Sequence, residues 1–96
     1  MRSPNTNIYP KHLRLADASI GEVFTVDKIN APAAAPEWVA QLEDIGFLAG
    51  ERVSIMARSL PGGDPLVVRV GLSTFALRMV EAACVLVTPV AMEVMT

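Results

Sequence analysis

From Arg52 onward, glycine and proline cut the chain into short apolar stretches that alternate like strands. Residues 52–59 set Val53, Ile55 and Ala57 against Ser54, Met56 and Arg58. Leu60-Pro-Gly-Gly-Asp-Pro65 then forms a dense turn signal. Residues 66–70 place Leu66, Val68 and Val70 opposite Arg69. Gly71-Leu72-Ser73 makes a tight connection into a third stretch, 74–77. Residues 78–83 read as a turn or one helical turn. Residues 84–88 form the last strand, stopped by Pro89. Upstream, residues 22–29 are β-branched but irregular, with Val23, Phe24, Val26 and Ile29 apolar. A bulge or strong twist reconciles that pattern with one buried face. Such a series predicts a mainly β fold, a small five-stranded, SH3-like, partly open barrel. Closing the sheet gives a small domain a core without disulfides and protects its edges.

One short helix is expected between the first strands, over residues 37–45. Pro36 suits the first helical position, where a missing N–H costs nothing. Trp38, Leu42 and Ile45 share a face that reads as core, and Gly46 ends the helix. Residues 13–18 read as a short turn or helix broken by Gly21. Residues 1–12 read as a loose arm with Pro4 and Pro10, residues 31–36 (APAAAP) as an extended connection, and residues 90–96 as a tail. The expected domain spans 13–89.

Composition narrows the class. Ninety-six residues, 52% of them hydrophobic, make one small and unusually apolar domain. A disordered chain is poorer in apolar residues. Ten acids against eight Lys and Arg disfavour a nucleic-acid partner. Cys84 alone forbids an internal disulfide. The longest unbroken apolar run, residues 82–87, is far short of the ~20 residues a helix needs to cross a bilayer. The first residues carry no apolar signal segment, so a cytoplasmic location is expected. A domain of this size buries only roughly two thirds of its unfolded surface. Some apolar surface therefore stays outside, either as ordinary surface or as a face for a partner.

Catalytic chemistry is sparse, and no enzymatic activity is expected. His12 is the sole histidine, which excludes a closed zinc site within one chain. Cys84 opens an apolar strand and reads as a packed small residue. Pro61-Gly-Gly-Asp-Pro65 lacks the Gly-Lys-Ser/Thr of a phosphate loop and reads as a barrel turn. A weaker metal reading places His12 with carboxylates such as Asp17 or Glu22 on a divalent ion, Fe²⁺ or Zn²⁺, bridging two molecules.

The most informative signal is an order of short motifs: Leu42-Glu-Asp-Ile-Gly-Phe-Leu-Ala-Gly50, Pro61-Gly-Gly-Asp-Pro65, Ala76-Leu-Arg78 and Glu81-Ala82, preceded by Leu15-Ala-Asp-Ala18 and Gly21. In this order and spacing the chain resembles the bacterial ferrous iron transport protein A (FeoA) family over roughly residues 13–88. It departs at Gln41, where members often carry Arg, and in the longer, proline-rich 31–36 connection. The resemblance implies an SH3-like barrel in the cytoplasm that serves ferrous iron uptake. The implied partner is a membrane transporter with a cytosolic GTP-binding domain, so the chain would be peripheral to the membrane through that partner only. A homo-oligomer is compatible with this picture. The same fold occurs in the C-terminal domains of iron- and manganese-dependent repressors, and the family is associated with transition-metal binding.

The residues marked for partner contact are Phe47, Leu48, Arg58, Pro61, Asp64 and Arg78. Phe47 and Leu48 are apolar in a glycine-bounded turn, and the other four belong to or flank the hairpins that follow. The alternative function is a metal-responsive domain that binds or bridges through a divalent transition metal. A third reading makes Arg58 or Arg78 a stimulator of GTP hydrolysis.

Overall fold

The computed structural model describes residues 13–90. Six antiparallel strands form one unclosed sheet: β1 (Leu13–Arg14), β2 (Phe24–Ile29), β3 (Arg52–Arg58), β4 (Leu66–Val70), β5 (Ser73–Leu77) and β6 (Val85–Pro89). Their spatial order is β1-β6-β2-β3-β4-β5. The five expected strands are all present. The sixth is the two-residue β1, within the segment expected as a turn or helix. It pairs Leu13 with Val87 and Arg14 with Leu86, and a 3₁₀ turn, Leu15–Asp17, follows.

The sheet curls around Phe24, Val26, Phe47, Ile55, Val68 and Val85, all nearly inaccessible to solvent. The irregular pattern of β2 has the expected cause. Its pairing with β6 shifts register between Val26 and Lys28, leaving Asp27 as the extra, exposed residue.

A second bulge was not expected. The pairing of β3 with β4 shifts between Ile55 and Ala57, at Met56. Before it, Val53 and Ile55 point inward as expected. After it, parity reverses: Ala57 is exposed and Arg58 half-buried, the opposite of the regular alternation. A strand's side chains alternate with a period of two, so one extra residue moves every later side chain to the other face.

Helix α1 (Trp38–Asp44) is shorter than expected at both ends. Glu37 is its N-cap, so Pro36 precedes the helix rather than opening it. Leu42 is its one buried side chain, Trp38 is half-buried against the core, and Ile45 is exposed. Two hydrogen bonds close its C-terminus. The Gly46 N–H donates to the Glu43 carbonyl at 3.0 Å and the Phe47 N–H to the Leu42 carbonyl at 3.0 Å. These are the paired bonds of a Schellman motif, and Gly46 adopts the positive φ of 121° that the motif needs. The motif normally brings the residue after the glycine into contact with the last turn of the helix. Phe47, in that position, is 1% exposed.

This placement predicts opposite outcomes for two adjacent residues. Phe47→Ala should lose about 3–5 kcal/mol of unfolding free energy, because it opens a core cavity. Leu48→Ala, at a site 48% exposed, should lose less than about 1 kcal/mol. Denaturant titrations of both variants measure the difference.

Candidate partner-binding surface

One end of the barrel collects three segments: the 3₁₀ turn, the 59–65 connection between β3 and β4, and the short helix α2 (Met79–Ala82). Polar contacts tie the 3₁₀ turn to the end of β3 and the 59–65 connection to α2.

Arg58, turned inward by the Met56 bulge, donates from Nη2 to the carbonyls of Ala16 and Ala18, both at 2.9 Å. It thereby ties the 3₁₀ turn to the end of β3. The 59–65 connection is closed by Ser59 N–H donating to the Pro65 carbonyl at 3.1 Å and Gly63 N–H to the Ser59 carbonyl at 2.7 Å. From this connection Asp64 Oδ1 accepts the Met79 N–H at 3.0 Å. A free N–H in the first turn of a helix has no partner inside the helix, so Asp64 satisfies one that would otherwise go unbonded. Glu81 reaches back within α2. Its Oε1 accepts the Arg78 N–H at 2.9 Å and its Oε2 meets Arg78 Nη2 at 3.2 Å. Arg78 and Glu81 thus form an ion pair within one helical turn.

Two further groups shape the electrostatics. Asp17 is held below the ordinary carboxylate range, mainly by the hydrogen bond from Arg14, whose Nε lies 2.8 Å from Asp17 Oδ2. Attraction from Arg14 and Arg58 acts in the same direction. Burial pushes the Cys84 thiol up, with repulsion from Glu81 adding to it. Cys84 is buried, and its Sγ donates weakly to the Val80 carbonyl at 3.4 Å. A thiol held in its neutral form is a packed residue rather than a nucleophile.

The contact residues read from sequence divide into three groups. Arg58, Pro61, Asp64 and Arg78 come together at this end. Leu48 does not. It is exposed beside the start of β3, where its carbonyl accepts the Glu51 N–H, so the full length of the strand separates it from Pro61. Phe47 belongs to the core and presents no surface, because the Schellman motif turns it inward. His12 lies outside the described residues.

Two residues of this surface were passed over in the sequence. Leu60 is 93% exposed on the connection and Val80 is 57% exposed on α2. The available signal was positional. Leu60 follows a strand and opens a turn, and Val80 stands between Met79, which packs on the core, and Glu81 in a single helical turn. Among the described residues, no three His, Cys, Asp or Glu side chains stand close enough to hold a metal. None of the described helices is long and apolar enough to cross a membrane.

A short, open, antiparallel barrel with a helical turn before its last strand is an SH3-like fold. Residues 13–89 match the FeoA domain model, and the chain belongs to this family, which is associated with ferrous iron transport. Stenotrophomonas maltophilia FeoA, a procaryotic SH3 domain protein solved in complex with zinc, is 33% identical with a TM-score of 0.70, over 78% of this chain and 88% of its own. A FeoA-like protein from Clostridium acetobutylicum is 25% identical with a TM-score of 0.70, over 84% of this chain and 90% of its own. A manganese-dependent transcriptional repressor shares the fold at 22% identity and a TM-score of 0.69, over 84% of this chain and 43% of its own. No curated protein matches the sequence.

The Arg58 contacts generate a prediction of stability. Arg58→Met should cost about 2–3 kcal/mol, because two carbonyls of buried residues lose a charged donor. Arg58→Lys should recover only part of this, since an ammonium on a flexible stem lacks the rigid fork of a guanidinium. Thermal and denaturant unfolding of the two variants compare them.

Proposed function

We propose that this chain is a non-enzymatic, cytoplasmic accessory protein of ferrous iron uptake, docking on the cytosolic GTP-binding part of a membrane iron transporter through the α2 end of its barrel. Membership of the FeoA family supplies the pathway. The observation that carries the docking face is the exposure of Leu60 and Val80 on two bonded segments. Both are apolar and mostly exposed, on two segments locked together by the Asp64–Met79 bond. Arg78, with 64% of its side chain exposed, precedes Val80 in the chain as a charged neighbour. An apolar centre with arginine beside it is the usual composition of an interface core and its hot spots.

Retention of the chain on the transporter's immobilised cytosolic domain, with GTP, with GDP and without nucleotide, tests this. Leu60→Asp and Val80→Asp should each reduce retention at least about tenfold, as expected for residues at the centre of an interface. Leu48→Asp, at the opposite end, should leave it unchanged. Equal retention of all variants would refute the face, and no retention of the wild type in any state would refute the partner.

A second reading rests on the zinc complex of the Stenotrophomonas protein. The described residues of this chain do not fit a metal by themselves, since they bring no three ligand side chains together. Asp17 is already engaged by Arg14. A site would have to draw on His12. Calorimetric titration with Zn²⁺ should then show saturable binding that His12→Ala abolishes, and a featureless wild-type titration would remove this reading.

A further inference from the structure

The unclosed sheet has two edges, and they differ in kind. One is β1, which has two residues and carries Arg14, so it offers little to another chain. The other is β5, Ser73-Thr-Phe-Ala-Leu77. This strand has five residues and no proline, no charge and no bulge in its pairing with β4. Among the described residues it carries none of the prolines, charges or bulges that normally blunt an exposed edge.

Its register shows which backbone groups are free. A two-residue turn, Gly71-Leu72, joins β4 to β5, with Val70 opposite Ser73. In such a hairpin the residues flanking the turn exchange both hydrogen bonds, and bonded pairs then alternate along the ladder. Ser73, Phe75 and Leu77 therefore bond to β4. Thr74 and Ala76 turn their N–H and C=O groups outward, and among the described residues no other segment bonds to them.

We propose that β5 pairs with β5 of a second copy of this chain, antiparallel about a two-fold axis at Phe75, to form a homodimer with one continuous sheet. In this register Thr74 faces Ala76 of the partner subunit, and Ala76 faces Thr74 of the partner subunit. Each pair exchanges two bonds, so every outward group on both strands is satisfied. A two-fold interface must be self-complementary, and this edge meets that requirement with no residue left over. Phe75 stands opposite Phe75 of the partner subunit in a close, non-bonded pair. It is half-buried on the side of Val68 and Leu77, and the contact covers its remaining exposed surface. Charge does not oppose the pairing. Arg69 lies opposite Thr74 on the inner neighbour β4, so the β5 strands of both copies separate the two Arg69 side chains.

Sedimentation velocity over a range of concentrations, on the full chain, should show a monomer–dimer equilibrium. Ala76→Pro removes an outward N–H that β4 does not use, so the monomer should keep its fold by circular dichroism while association weakens at least about tenfold. Phe75→Lys sets like charges directly opposite each other and should also favour the monomer. It gives a second variant should the proline disturb folding. In a Cys84→Ala background, Phe75→Cys should form a disulfide-linked dimer under mild oxidation, because closely opposed Cα atoms suit a disulfide. Ser73→Cys, placed opposite Leu77, should not. A wild type that is monomeric at all concentrations, a dimer unaffected by both association variants, or cross-linking at Ser73 in preference to Phe75 would each overturn the proposal.

Discussion

Arg58 sends one nitrogen to the carbonyls of Ala16 and Ala18, and the organisation of the barrel's exposed end depends on that contact. Without it two carbonyls of buried residues on the 3₁₀ turn and just after it would lose a partner. The contact exists because the bulge at Met56 reverses the parity of β3. A regular strand would have turned Arg58 away and Ala57 inward. A single extra residue thus converts what reads as a surface arginine into a structural clamp. The same geometry argues against Arg58 as a charge offered to a nucleotide on a partner, since its Nη2 is already committed within the chain.

The end of the barrel is then assembled by short-range polar bonds rather than by a large core. Asp64 caps α2 from a connection fifteen residues earlier, and Glu81 closes on Arg78 within α2. These contacts fix two short segments that could not hold a conformation alone, since isolated helices of one turn are unstable in water. Leu60 and Val80 are exposed on a frame that is already ordered. A partner meeting them would bear less of the entropic cost of ordering a loop on binding.

The apolar surplus of the chain is now placed. Much of it is core, including Phe47, which a helix-ending motif turns inward. Among the described residues the most exposed of the rest are Leu72, 95% exposed on the turn that leads into the β5 edge, and Leu60, with Val80, Ile20, Leu48, Met56, Val23 and Ile45 less so. The edge strand runs from the Leu72 turn directly into Arg78 and α2, so the two surfaces adjoin while using different residues.

Strands β3 and β4 were legible because each is short, alternating and bounded by glycine or proline. The helix was legible from Leu42, Gly46 and the spacing between them, and the bulge of β2 from its broken pattern. The order of motifs was enough to indicate the family. Other features were not legible from one segment at a time. The bulge at Met56 lies in a stretch whose alternation looks regular, and it exists only in the pairing of β3 with β4. The inward turn of Phe47 needed the hydrogen bonds of Gly46, and the clustering of Arg58, Pro61, Asp64 and Arg78 away from Leu48 needed the direction of β3. By itself the sequence determined which segments become strands, turns and helix, because propensity and local pattern act within a few residues. Only the tertiary structure decided which side chains those elements bury, bring together or leave at a free edge, because these depend on register between segments far apart in the chain.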